Sequence, residues 1–343
     1  MTIRYGIIGA GRMGSSHARH IRELKNTQIT AVYDVRPEAA EAMHHDHGAA
    51  VCASARELAE RPDVDCVIIT SPTYCHPEGI RAAMAAGKAI FCEKALCRSR
   101  ETADELLREV ESYDKVFTVG FVRRHMPKTI LMRRLLAEGL IGKVRYCNVD
   151  LPLGMYRRLP GDWFADFELC GGVPIDMLSH HIDLANLFFG DAERVYADGL
   201  LLSKELPRPS DYAAAVVTYR SGVICNMMCS WWRSGRSAEL MEICGDEGTL
   251  TLDGSADITY YPLEGEARTI HAADRLKKDS ALDPSLNQVS FGNGFTQELS
   301  NLTERLAGNT AIELPTIRDA WKSLAVSFAI IDSIRSKSIV RLP

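Results

Sequence analysis

Hydrophobic positions follow two regimes along this 343-residue chain. Over the first third, short runs that are apolar at nearly every place alternate with stretches whose apolar residues recur every three or four places. The runs at 4–8, 29–33, 66–70, 89–92 and 116–120 read as strands, and the alanine-rich stretches at 37–45, 80–86 and 100–112 read as amphipathic helices. Strand and helix in alternation predict a parallel, doubly wound sheet. After about Phe121 the regime changes. Helical signals at 128–138 and 175–188 give way to strand-like runs at 144–151, 213–219, 223–232, 239–244 and 249–252, with a tight turn at Asp246-Glu247-Gly248. Consecutive strands after segregated helices predict an α+β unit with a largely antiparallel sheet. Residues 264–294 are polar and poorly patterned and read as long loops, and a closing helix is expected at about 317–336. The expected fold class is α/β, with an N-terminal Rossmann domain over 1–121 and a C-terminal α/β domain over 122–343.

The opening βαβ unit carries the first chemistry. Its strand runs into Gly9-Ala10-Gly11-Arg12-Met13-Gly14, a helical run follows, and the next strand ends on Asp34. Gly9 permits a tight turn, Gly11 lets a pyrophosphate approach the backbone, and Gly14 lets the helix pack close to the strand. The helix N-terminus presents free N–H groups and a partial positive charge. Asp34 is placed to accept hydrogen bonds from an adenosine ribose. A carboxylate there repels a 2′-phosphate, so NAD is the expected cofactor. Arg36 can partner a phosphate, which keeps NADP possible.

Composition narrows the classes. Hydrophobic residues make up 46% and charged residues 25%, enough apolar matter for a large soluble core. A net charge of -5 gives no reason to expect nucleic acid or an anionic membrane as partner. The amino terminus runs straight into a strand without a signal-peptide pattern, and no segment reaches the roughly eighteen uninterrupted apolar residues of a membrane span. A cytoplasmic protein is expected. Ten cysteines contain no Cys-x-x-Cys pair, and Cys225 and Cys229 sit in a strand-like run. All ten are expected to be reduced. His44, His45 and His47 read as a solvated helix end, and no metal is expected.

Three further groups stand out. Ser71-Pro72-Thr73 and Glu93-Lys94 lie just past strand ends, where ligands of such sheets bind. A lysine there, close to a nicotinamide cation, is a candidate for proton transfer. The second group is Gly171-Gly172-Val173-Pro174-Ile175-Asp176-Met177-Leu178-Ser179-His180-His181-Ile182-Asp183. On one helix, Asp176 shares a face with His180, and His180 with Asp183. A carboxylate beside an imidazole orients it as a general base for a hydroxyl proton. Periodicity does not say which of His180 and His181 does so. The third group is the arginines Arg123-Arg124, Arg157-Arg158, Arg233 and Arg236, whose forks bind polyols and carboxylates.

The ordered set of Gly9 to Gly14, Ser71-Pro72-Thr73 with His76, Ala86-Gly87-Lys88, Cys92-Glu93-Lys94, Gly120-Phe121-Val122-Arg123-Arg124, the segment 171–183 and Asp319-Ala320 resembles the Gfo/Idh/MocA oxidoreductases. That family includes inositol dehydrogenases, glucose–fructose oxidoreductase and several sugar dehydrogenases. The resemblance implies an open-faced second sheet, often used for dimer or tetramer contacts. It implies Lys94, Asp176 and His180 at the catalytic positions, with His180 rather than His181 acting, and Arg123 as a substrate contact. Candidate cofactor contacts are Gly9, Gly11, Arg12, Met13, Gly14, Asp34, Arg36, Ser71, Pro72, His76, Glu93 and Lys94. Tyr156 and Trp163 join Lys94, Arg123, Asp176 and His180 as candidate substrate contacts.

Two departures bear on these expectations. The family usually has proline after the lysine, frequently with a cis bond. Here Ala95 follows, and since a cis non-proline bond costs about 3–4 kcal/mol, a trans loop is expected. A substrate-binding histidine of some inositol dehydrogenases has no counterpart near Asp150-Leu151-Pro152, which leaves the polyol open. The expected activity is NAD-dependent oxidation of a secondary hydroxyl of a sugar, glycoside or cyclitol by a homodimer or homotetramer. Its rivals are a glycosidase that recycles its NAD through oxidation, elimination, hydration and reduction, and a dinucleotide sensor without catalysis.

Overall fold

The computed structural model describes residues 1–154, 162–202, 211–233, 238–280 and 293–343. Contacts divide the chain into two compact units, Met1–His125 with Gly292–Trp321, and Met126–Phe291 with Lys322–Pro343. In the first, strands β1 (Ile3–Ile8), β2 (Thr27–Tyr33), β3 (Ala50–Val51), β4 (Cys66–Ile69), β5 (Ala89–Glu93) and β6 (Phe117–Gly120) form one parallel sheet in the order β3-β2-β1-β4-β5-β6. Every residue of β4 and β5 is buried, which is why these strands read as continuous apolar runs. Helix Arg12–Glu23 buries the stripe Gly14, His17, Ala18 and Ile21. Ser54 and Ser99 cap their helices by accepting the N–H of Glu57 and Thr102. The strand order reverses between β1 and β4, so the crevice beyond their carboxyl ends is where such sheets hold ligands.

Helix Gly294–Leu306, unassigned from sequence, packs in this first unit with its buried Leu299 and Leu302. The Tyr5 hydroxyl lies 2.8 Å from Thr303 Oγ1. Residues 122–125 and 292–321 therefore group with the first unit, whereas a division at residue 121 assigns them to the second.

The second unit holds a nine-stranded sheet. Strands β7 (Val144–Gly154), β8 (Ala192–Leu200), β9 (Tyr212–Tyr219), β10 (Ile224–Arg233), β11 (Leu240–Gly245), β12 (Gly248–Asp253), β13 (Ile258–Pro262), β14 (Arg268–Ile270) and β15 (Val340–Arg341) lie in the order β14-β13-β12-β11-β7-β10-β9-β8-β15. Only the β7–β10 pair is parallel among these neighbours. Alternate residues point into a core with Cys147, Val149, Val195, Val217, Cys225 and Met227, while Tyr146, Tyr196, Val216 and Ile224 point outward.

The structure corrects two sequence readings here. The stretch 264–294, read as loops, holds β14 and helix Ala272–Ser280 among its described residues. Among its described side chains that helix buries Ala272 and Leu276 alone, too narrow a stripe to register as periodicity. The single helix expected at 175–188 is two, Gly172–Asp176 and Ser179–Phe189. The Leu178 N–H reaches back to Val173 O at 3.0 Å, and the Ser179 hydroxyl donates to Asp176 O at 3.3 Å, occupying the acceptor that His180 N–H needs in a regular helix.

No helix among the described residues is long and apolar enough to cross a membrane. Leu302→Ala is expected to destabilise the protein by about 2–5 kcal/mol in chemical denaturation, as only a residue inside the first core does; a change under about 0.5 kcal/mol is the contrary result.

Candidate cofactor and active site

The glycine loop is built by close approach. A β-carbon on Gly14 would fall 2.0 Å from Gly9 O, and one on Gly9, whose φ is 96°, would fall 2.5 Å from Ser71 N. Gly9 N donates to Tyr33 O at 2.8 Å, and Thr70 Oγ1 donates to Gly9 O at 2.6 Å. The helix then starts at Arg12 with Gly11 as its N-cap and no acidic residue in its first turn, so its N-terminal field is unopposed. Arg12 is exposed and Met13 half-buried. At the end of β2, Asp34 accepts Ala10 N–H at 2.7 Å and Arg36 N–H at 2.9 Å, and the Arg36 guanidinium leans on it at 3.2 Å. The Ser71 hydroxyl is buried beside this loop with no hydrogen-bond partner among the described residues. The cradle, the helix end and the acid fit a pyridine dinucleotide.

A second set of loops follows β4 and β5 in the same unit. His76 is buried and bridges them: Nε2 lies 2.8 Å from Ser71 O and Nδ1 2.9 Å from Ala95 O. Burial pushes its pKa down, against the two carbonyls that favour the protonated ring. The neutral ring has one N–H and donates to one of these two carbonyls, while the other nitrogen faces the second. Pro72 precedes the short 3-10 turn Thr73–Cys75. The Lys94–Ala95 peptide is cis, which corrects the trans loop expected from the alanine. Lys94 is half-buried, and its N–H donates to its neighbour Glu93 at 3.1 Å. The Glu93 carboxyl is itself buried, with Oε1 2.7 Å from His17 Nε2.

The second unit carries the remaining acid and imidazole. Gly171 and Gly172 turn with φ of 81° and 68° into the short helix that ends at Asp176. Asp176 and His180 flank the break at Met177–Leu178 instead of sharing one helical face. Asp176 is half-buried, and after burial its charge is what pushes the Cys229 thiol on β10 up. The adjacent histidines differ. His180 is half-buried, whereas His181 is enclosed with Nε2 3.3 Å from Glu239 Oε1. Asp183 is buried too.

Arg123 is half-buried in the 3-10 turn Val122–His125, and Arg124 pairs with Asp319 at 3.1 Å. Trp163 packs on Phe164 with ring centroids 3.8 Å apart. Arg233 ends β10. Tyr156, Arg157, Arg158 and Arg236 lie outside the described residues. His44 bonds Ala49 O, and exposed His45 pairs with Asp46, so the histidine run does not converge.

Sequence reasoning missed His17, His125 and Glu298, all buried in the first unit. His17 had a signal, a polar residue on the apolar stripe of the first helix. Glu298 had none, since its helix was not recognised.

Asp34→Ala is expected to weaken NADH binding on the order of 10- to 100-fold, as loss of a buried charged acceptor does, and to narrow the preference over NADPH. Parallel titrations with both coenzymes measure this, and unchanged affinity for both is the contrary result.

Residues 3–121 match the family described as oxidoreductase family, NAD-binding Rossmann fold, and residues 129–251 match the GFO/IDH/MocA C-terminal domain. The chain is 35% identical over 266 residues to an inositol 2-dehydrogenase/D-chiro-inositol 3-dehydrogenase of Shouchella clausii, spanning 74% of this chain and 72% of the relative. It is 27% identical over 347 residues to an inositol 2-dehydrogenase of Rhizobium meliloti, spanning 98% of each. A solved levoglucosan dehydrogenase, in complex with NADH and levoglucosan, superposes with a TM-score of 0.88 over 100% of both chains at 21% identity, a likeness of fold. By these matches the chain belongs to the Gfo/Idh/MocA family of NAD-binding oxidoreductases.

Proposed function

We propose that this protein is an NAD-dependent dehydrogenase that oxidises a secondary hydroxyl of a cyclitol or sugar. The observation that carries the reading is Lys94, set directly after β5 on the carboxyl edge of the sheet that holds the glycine loop and Asp34. The inositol dehydrogenases among its relatives support the substrate class. The glycine loop and Asp34 would hold NAD, which would supply the hydride acceptor for the carbinol carbon. His180 takes the hydroxyl proton as general base, and Asp176 orients its ring. Lys94 donates to the substrate oxygen and offsets the negative charge that grows there, a contribution largest where water is excluded. Arg123, Tyr156 and Trp163 bind the remaining hydroxyls. His181, enclosed with Glu239, has no part in the chemistry.

We infer further that the protein assembles as a homodimer or homotetramer through the open face of its second sheet. Ile224 lies beside Tyr146 there, and Val216 beside Tyr196, each of the four 42–46% exposed. Exposed large apolar side chains gathered on one sheet face support this reading.

Incubation with NAD and a panel of myo-inositol, D-chiro-inositol and levoglucosan tests the activity. NADH accumulating one for one with oxidised product is expected; product formed without NADH sinks the reading in favour of a redox-neutral cleavage. Lys94→Ala and His180→Ala are each expected to cut kcat roughly 100- to 10,000-fold while NADH still binds. Because both act on one oxygen, the double variant should lose less than the product of the two effects, and normal turnover in it refutes the assignment.

A further inference from the structure

The first unit encloses four titratable side chains that no step above uses. His17 comes from helix Arg12–Glu23, Glu93 from the end of β5, His125 from the 3-10 turn Val122–His125 and Glu298 from helix Gly294–Leu306. All four are at least nine-tenths buried. Glu93 is fully engaged: Oε1 meets His17 Nε2 at 2.7 Å, and Oε2 accepts the N–H of Lys94 at 3.1 Å. The His17 ring is itself wedged edge-on between Phe91 and Phe295, with centroids 5.1 and 5.7 Å away. A β-carbon on Gly120 would come 3.1 Å from Glu93 Oε2, so a side chain there would crowd the carboxyl.

Glu298 is placed differently. Neither of its oxygens has a hydrogen-bond partner among the described residues. Its nearest basic atom is His125 Nε2 at 3.9 Å, too far for a hydrogen bond. Gln297 donates to Asn301 Oδ1 at 2.7 Å, which turns the Asn301 amide N–H toward His125 Nδ1 at 3.1 Å. The His125 proton then sits on Nε2. Burial, with the charge of Arg124 behind it, pushes this imidazole down to about 3, so it brings no positive charge to Glu298. Burial first and the charge of Glu93 second push the Glu298 carboxyl up. A buried carboxyl with no donor is poorly able to hold a charge, and Glu298 has none among the described residues, whereas Glu93 has two.

We propose that Glu93 is a positioning residue for Lys94, aimed by His17, and that Glu298, buried in the same unit without a hydrogen-bond donor among the described residues, is a neutral carboxylic acid. Held by His17, Glu93 accepts the peptide N–H of Lys94, which fixes where that residue leaves the strand. The charged and titratable groups around the pair are His17, Lys94 and His76 near Glu93, and His125 with Arg124 near Glu298. The inference rests on the assignment of Lys94 to the reaction.

Glu298→Gln keeps the shape and removes the proton. A folded carboxyl with a raised pKa holds a proton that the unfolded chain releases above about pH 4.3, so the folded state loses stability from this group as pH rises past that value. The full-length variant should melt above the wild type at about pH 7.5 and level with it at about pH 4. Infrared difference spectra at neutral pH should show a carboxylic C=O band in the wild type that the variant lacks. A missing band, or a variant that melts below the wild type at neutral pH, overturns the neutral acid.

Glu93→Gln should lower kcat roughly 10- to 100-fold, as a small misplacement does, and shift the pH–rate profile. Unchanged kcat and pH profile overturn the positioning role. Should Glu93→Gln fail to fold, His17→Gln, which keeps the carboxylate and loosens its aim, reads the same quantities. Full turnover in Lys94→Ala defeats the proposed function itself, whereas an inactive Lys94→Ala beside an unaffected Glu93→Gln defeats only the positioning role.

Discussion

Helix Arg12–Glu23 can lie where it does only because Gly14 has no side chain, its α-carbon pressing on the carbonyl of Gly9. The first unit is organised around that contact. With the helix this close, Gly9 N–H reaches Tyr33 O and Ala10 N–H reaches the Asp34 carboxylate, so the turn is tied to the end of β2. Thr70 closes the other side by donating to Gly9 O from the end of β4. The loop is thus pinned at the strand-order reversal, with its N-terminal amides facing the crevice and no acid in the first turn to oppose an anion. A backbone held from two strands costs little further ordering when a pyrophosphate arrives.

The same helix serves the next strand end. One turn past Gly14, His17 faces inward and meets Glu93, the last residue of β5. His76 performs a parallel task from helix His76–Ala85, with its two ring nitrogens on Ser71 O and Ala95 O. The loops after β1, β4 and β5 are therefore linked by two buried imidazoles. Each imidazole takes up polar groups that would otherwise be stranded away from water, where an unmet hydrogen bond is expensive. Polar contacts of this kind specify geometry more than they add stability, because each must be satisfied in one arrangement.

Much of this was legible in the chain, and the limits have physical causes. Parallel strands buried on both faces leave unbroken apolar runs, so β1, β4 and β5 could be read from residues alone. β8 could not, because Ala192, Val195 and Ala197 make a weak apolar face between Arg194, Tyr196 and Asp198. The break before Ser179 was invisible to periodicity, since a hydroxyl that captures the Asp176 carbonyl changes no spacing. Alanine after Lys94 argued for a trans bond, and the peptide is cis. The glycine loop and Asp34 were readable because their partners are close in sequence. The His17–Glu93 pair spans 76 residues and the Asn301–His125 contact 176, separations at which only the fold says who meets whom.

Asp34 and Arg36 show how a coenzyme preference follows from the company a charge keeps. An arginine two residues past the acid can serve a 2′-phosphate only with its fork available. Here the fork lies against the carboxylate, 3.2 Å from Oδ1 and 3.4 Å from Oδ2, and Arg36 N–H bonds the same acid. Asp34 also holds Ala10 N–H, so it cannot turn away without opening the glycine loop. For a 2′-phosphate to bind, Arg36 has to leave a carboxylate that stays behind, charged, within reach of the incoming anion. A ribose hydroxyl asks for less: each oxygen of Asp34 already accepts two bonds, so the hydroxyl has only to displace one N–H of Arg36, and it brings no negative charge to the carboxylate. The arginine that looks like an argument for NADP in the sequence is, in the fold, part of the arrangement that favours NAD.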